Sequence, residues 1–110
     1  MTSSDPDSFT ALSDPTRRRI LEHLAQTAHM PASDIAAQFT LSKPAISQHL
    51  KILKAAQLVS VEVRGQQRIY RLNQAGFDDM SEWITRTRRH WAQALDNLET
   101  LLTETPDDDR

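Results

Sequence analysis

The sequence predicts a mainly helical domain carrying one small β-hairpin. Three observations carry that prediction. Apolar residues recur at helical spacing from Ile20 to Leu24 and again from Ile46 to Leu53. They alternate with period two in VSVEV, 59–63, and RIYRL, 68–72. From Phe77 to Leu102 the helical period returns and holds without a break. A chain of 110 residues, 38% hydrophobic and 25% charged, fits a single globular domain. At this length the buried share of the surface is small and the core thin, so a second copy would help.

The elements follow in order. Residues 1–8 are polar and acidic and are expected to be disordered. Phe9 and Leu12 suit a short first helix. Asp14 before Pro15 reads as a helix N-cap with proline at the first helical position, and Ile20, Leu21 and Leu24 mark the inward face of the helix that follows. TAHMP, 27–31, is a break. ASDIAAQF, 32–39, makes a short helix with Ile35, Ala36 and Phe39 inward. After the tight connection TLS, Ser42 caps a helix running to about Ala56 with Ile46, Leu50 and Leu53 inward. RGQQ then joins two strands. Pairing Val63 with Arg68 sets Val61 opposite Tyr70 and Val59 opposite Leu72, leaving one apolar face and one polar, basic face. The domain is expected to span 9–103, closed by a long helix, with 104–110 an acidic disordered tail. Two helices joined by a three-residue turn and followed by a hairpin describe a winged helix-turn-helix.

Charge points to the partner. Net charge is −2, yet residues 43–71 hold Lys43, Lys51, Lys54, Arg64, Arg68 and Arg71 against Glu62 alone. On the helix after Ser42, the residues aimed most directly outward are Pro44, Ser47, Gln48, Lys51 and Ala55, with Lys43 and Lys54 on one flank and His49 and Ile52 on the other. A small residue such as Ser47 lets a helix sit close to a base-pair edge. Gln48 can bond bidentately to adenine in the major groove. Lys51 and Lys54 suit phosphates, which fix position without reading sequence. The helix N-terminus at Ser42 and Lys43 can hold a phosphate through its free N–H groups. On the hairpin tip, Arg64, Gln66, Gln67 and Arg68 suit a minor groove or the flanking backbone. Each of these residues alone reads as a solvated surface group; together they predict binding to double-stranded DNA.

Other classes recede. With no cysteine there are no disulfides, thiolate metal sites or thiol nucleophiles. No apolar stretch reaches the length of a membrane span and the N-terminus carries no signal pattern, so the expected compartment is the cytoplasm. An enzyme is not expected: there is no phosphate-binding glycine loop and no His/carboxylate set that falls on one face. No cofactor is expected.

ALSDPTRRRILEHLA, SDIAAQFTLSKPAISQHLKILKAAQLV and VRGQQRIYRL together resemble the ArsR-type winged-helix transcriptional repressors, from about Phe9 to Leu72. The ending W…LDNLETLL resembles a metal-independent branch of that family. The resemblance implies a recognition helix at 43–56, a wing at the hairpin, and DNA contacts from Ser42, Lys43, Pro44, Ser47, Gln48 and His49, with Arg64 and Arg68 on the wing. It implies a homodimer through the first and last helices acting on an imperfect palindrome. The metal-sensing branch carries Cys-x-Cys in the helix matched here by ASDIAAQF, or an Asp/His set on the last helix. Here Ser33, Asp34 and Ile35 stand in the first place. His90 has Arg86, Thr87, Gln93 and Ala94 as helical neighbours, none a metal ligand of choice, and His23 is no better placed. His29 falls in a loop. No metal site is therefore expected, and His49 reads as a packing histidine that also reaches a phosphate. The rival readings are a metal-responsive repressor with His/carboxylate ligands and a winged-helix module that binds proteins.

The stripe from Phe77 to Leu102 covers roughly 39 Å at 1.5 Å per residue, more than a domain with a radius of gyration of about 13 Å can cover. A two-fold partner is the simplest cover. The expected contacts are Trp83, Ile84, Trp91, Leu95, Leu98 and Leu102, with Phe9 and Leu12 from the first helix. The effector is left open: a small molecule between the long helices, a protein, or none.

Overall fold

A computed structural model describes residues 5–104. The elements are α1 (Asp5–Leu12), α2 (Pro15–Thr27), β1 (His29–Pro31), α3 (Ala32–Ala37), α4 (Lys43–Ala55), β2 (Val59–Arg64), β3 (Gln67–Leu72) and α5 (Gln74–Glu104). The chain divides into two units, one up to Met80 and one from Ser81 onward.

In the first unit the helices start where their caps dictate. Asp14 Oδ2 accepts the N–H of Thr16 at 2.9 Å and of Arg17 at 3.1 Å, and Pro15 occupies the first helical position, where no N–H is needed. The preceding helix ends against the same turn: Arg17 Nε donates to Ala11 O at 2.7 Å and Arg18 Nη1 to Leu12 O at 2.6 Å, so two guanidiniums satisfy its free C-terminal carbonyls. α1 begins at Asp5, inside the segment expected to be disordered, and Ser8 is buried. A proline in the opening turn of a helix costs nothing, and Pro6 stands there. Residues 1–4 and 105–110, the rest of the two expected disordered ends, lie outside the described residues.

Ile20, Leu24, Ile35, Ile46, Leu50, Leu53, Leu58 and Val59 form the fully buried core. Burial of each such side chain contributes roughly 1.5–3 kcal/mol. Leu12, Ala36, Phe39, Phe77 and Met80 pack on the margin of that cluster. His23 meets the Phe39 ring edge-on at 5.8 Å, a packing role on the α2 surface.

The sheet has three antiparallel strands in the order β1-β3-β2. The hairpin pairs Val63 with Arg68, Val61 with Tyr70 and Val59 with Leu72, the register expected from the alternation. Gly65, at φ 61°, opens a two-residue turn between Arg64 and Gln67, a conformation that favours glycine at that position. Two features correct the sequence reading. The segment read as a break contains β1, with Met30 opposite Tyr70, so His29 lies on a strand and not in a loop. Ile69, on the face expected to be polar, is buried, because β3 is the central strand and not half of an isolated hairpin.

α4 stops at a left-handed residue, Gln57, at φ 63°. The Gln57 carbonyl accepts the Asn73 side-chain amide at 2.9 Å. A Cβ on Gly76 would lie 1.8 Å from that same oxygen, so only glycine lets the first turn of α5 approach so closely.

The described residues of the second unit are the part of α5 from Ser81 to Glu104. Trp91, Leu95, Leu98, Leu101 and Leu102 are between 51% and 68% exposed along it.

Candidate nucleic-acid interface

The exposed face begins with the turn between α3 and α4. α3 ends at Ala37, two residues sooner than expected, and the N–H groups of Gln38 and Phe39 close short turns onto Ile35 O and Ala36 O. Ser42 Oγ then accepts the Ala45 N–H at 3.3 Å and starts α4. Burying Ile46, Leu50 and Leu53 fixes the rotation of the helix, which leaves Lys43, Pro44, Ser47, Gln48, Lys51 and Lys54 exposed. No acidic residue lies in its first turn.

The hairpin presents its cations unequally. Glu62 accepts from Arg64 at 3.2 and 3.3 Å and from Arg71 at 3.3 Å. The Arg64 bond and charge, with Arg71 and His29 adding to them, hold the Glu62 carboxyl below its usual pKa against a small opposing effect of desolvation. Arg64 is thus partly neutralised before any partner arrives. Arg68 has no carboxylate within 4 Å among the described residues. Gln66 and Gln67 are exposed at the turn and border a shallow hollow with Pro31, Ala32 and Ser33.

Four of the expected contacts converge. Lys43, Ser47 and Lys51 repeat at four-residue spacing along α4 and, with Arg68 of β3, rim a cavity of about 540 Å³. Its walls are Ala32, Ala36, Ile46, Leu50 and Tyr70, with Ser33 at the edge. Gln48 and Lys54 are exposed on α4 outside the cavity lining.

His49 packs toward α2, the packing half of its expected role. Its Nδ1 lies 3.2 Å from Arg17 Nη1 and 3.9 Å from Asp14 Oδ2, with the side chain 19% exposed. The histidine therefore ties α4 to the α2 cap, a task for which Arg17 gave no sequence signal: it is one of three consecutive arginines. Burial works to raise the Asp14 pKa, but the Arg17 N–H, the His49 charge, the Thr16 N–H and the Arg17 guanidinium outweigh it, and the carboxyl sits below its usual value.

Of the expected dimer residues, Ile84, Trp91, Leu95, Leu98 and Leu102 are exposed on α5, and Trp83 is half-buried. Phe9 is 37% exposed on α1, whereas Leu12 packs on the chain's own core. No three His, Asp, Glu or Cys side chains among the described residues lie close enough to hold a metal ion. No helix among them is long and apolar enough to cross a membrane.

Comparison with known proteins gives a consistent picture. Residues 14–61 match the family model described as bacterial regulatory protein, arsR family. The transcriptional repressor SdpR of Bacillus subtilis is 47% identical over 76 residues, covering 69% of this chain and 83% of that protein. The HTH-type transcriptional regulator Rv2034 of Mycobacterium tuberculosis is 37% identical over 108 residues, 97% of each chain. Among solved structures, the ArsR-like transcriptional regulator from Rhodococcus sp. RHA1 superposes with a TM-score of 0.78 at 31% identity, covering 89% of this chain and 92% of that one.

Proposed function

The chain belongs to the ArsR family of bacterial regulatory proteins, and on that premise we propose that it is a cytoplasmic homodimeric repressor of an imperfect palindromic operator. It is a DNA-binding transcriptional regulator, in a family of regulators and not of enzymes. The observation that carries the finer reading is the acid-free outer face of α4, where Ser47 and Gln48 stand exposed between Lys43 and Lys51. In this reading α4 enters the major groove. Gln48 reads a base edge, while Lys51, Lys54 and the α4 N-terminus at Ser42 and Lys43 hold phosphates, with Pro44 in contact beside them. Arg68 and the tip glutamines Gln66 and Gln67 follow the flanking backbone, and Arg64 contributes less because Glu62 already holds it. The exposed stripe of α5 pairs with its copy and spaces two α4 helices for successive grooves, roughly 34–36 Å apart.

The absence of cysteine supports a signal other than a thiolate-bound metal. Selection of bound fragments from the source genome, with and without added zinc or nickel, tests the whole reading. The expected outcome is a two-fold-related motif enriched equally in both conditions. Enrichment no better than random competitor at moderate salt overturns the operator, and release by metal overturns the metal-independent signal. On the selected site, Gln48→Ala is expected to cost about 1–3 kcal/mol of discrimination at one base position. An equal loss on every sequence would remove Gln48 from base reading.

A further inference from the structure

We propose that the cavity between α3, α4 and β3 is a binding site for a small anionic amphiphile, an aromatic or medium-chain carboxylate, and that its occupant excludes DNA from α4. The volume, about 540 Å³, falls in the range of small-molecule sites, roughly 300–1,000 Å³. Its two surfaces differ in chemistry. Lys43, Lys51 and Arg68 bring three positive charges to one opening, and none has a carboxylate within 4 Å among the described residues. Like charges so placed repel one another, and a bound anion relieves the repulsion.

Below the rim the wall turns apolar at Ile46 and Leu50. It also holds Tyr70, only 7% exposed, whose hydroxyl has no hydrogen-bond partner among the described residues. A buried tyrosine hydroxyl ordinarily finds a partner, and leaving it without one costs free energy. A phosphodiester would satisfy the cations but leave the apolar wall wet. A carboxylate on an apolar body satisfies the cations and covers the wall, and the Tyr70→Phe variant below reads whether the hydroxyl contributes.

The second half of the proposal rests on the DNA-binding reading above. Lys43, Ser47 and Lys51 cannot face a phosphate backbone and close over a ligand at once, so the ligand acts by competition on the reading surface itself and no change in dimer geometry is required.

Titration calorimetry and amide NMR on the full chain with 2-naphthoate test the site without DNA. Expected are saturable binding and shifts confined to α3, α4 and β3. Lys51→Ala with Arg68→Ala should weaken binding by about tenfold or more, and Tyr70→Phe by about threefold or more. No saturation by about 10 mM, shifts confined to residues 81–104, or equal affinity for inorganic phosphate each overturn the amphiphile site. Anisotropy of a labelled duplex then tests competition. Naphthoate should raise the apparent duplex Kd in proportion to its occupancy, and Ala36→Trp, which fills the cavity from α3, should abolish that effect. Should Ala36→Trp fail to fold, Tyr70→Phe serves, with a right-shifted naphthoate response. Binding of naphthoate with unchanged duplex affinity overturns the competition alone. A chain that binds no duplex takes the competition down with the DNA reading, while the calorimetry still decides the site.

Discussion

α4 and α5 are both amphipathic, and their apolar stripes meet opposite ends. On α4, Ile46, Leu50 and Leu53 are at most 2% exposed. On α5, Leu95, Leu98 and Leu102 are at least 51% exposed. The same periodicity therefore says that a face needs cover without saying what covers it. In α4 the cover is the chain's own core, and the outer face is left free for a ligand. In α5 the first turns, at Phe77 and Met80, meet that core. The remaining stripe is an exposed apolar patch of the kind that marks an interaction surface.

The contrast can be broken most strongly at α5. Leu95→Asp with Leu98→Asp would place four charges in the proposed symmetric interface, where each leucine would contribute roughly 1.5–3 kcal/mol, so sedimentation should report monomers. A persistent dimer would refute the α5 interface. Leu50→Ala on α4 should cost about 2–5 kcal/mol in urea unfolding, by the same amount at every protein concentration. A cost below about 1 kcal/mol, or one that grows on dilution, would mean that the two stripes do not differ as described.

Smaller effects sharpen what positions α4. Asp14→Ala removes the α2 cap and the charge beside His49 and should cost about 0.5–2 kcal/mol near neutral pH. The folded carboxyl titrates below its unfolded value of about 3.9, so this contribution is complete above that pH and is lost as pH falls through the folded value. The difference in stability between wild type and Asp14→Ala should therefore shrink in acid; a difference that grew would contradict the depressed carboxyl. Smallest is the wing. Arg68→Ala should reduce the slope of log affinity against log salt by about 0.9, and Arg64→Ala by clearly less, because Glu62 accepts from Arg64 already. Equal changes would remove the distinction between the two arginines.

Much of the fold was legible because it rests on local signals. The Asp14 and Ser42 caps, the α4 inward face and the hairpin register all come from contacts within a few residues, or from an alternation that a one-residue slip would invert. β1 escaped because three residues are too few for a period and Pro31 reads as a breaker. The convergence of Lys43, Ser47 and Lys51 follows from helical spacing, but their meeting with Arg68 and Tyr70 does not, since those residues come from the far strand of a hairpin. Nothing about His49 announced that its ring would turn to Arg17, thirty-two positions away.

Residue spacing thus settled the inward faces of α2 and α4, their capped starts, the hairpin register and the cationic, acid-free character of the α4 surface, because each follows from backbone geometry over one or two turns. Packing settled which cations lie near a carboxylate, that His49 turns to Arg17, that Gly76 must be glycine and that a cavity opens between α3, α4 and β3. Those outcomes depend on distances between segments remote in the chain, and such distances exist only once the core has closed.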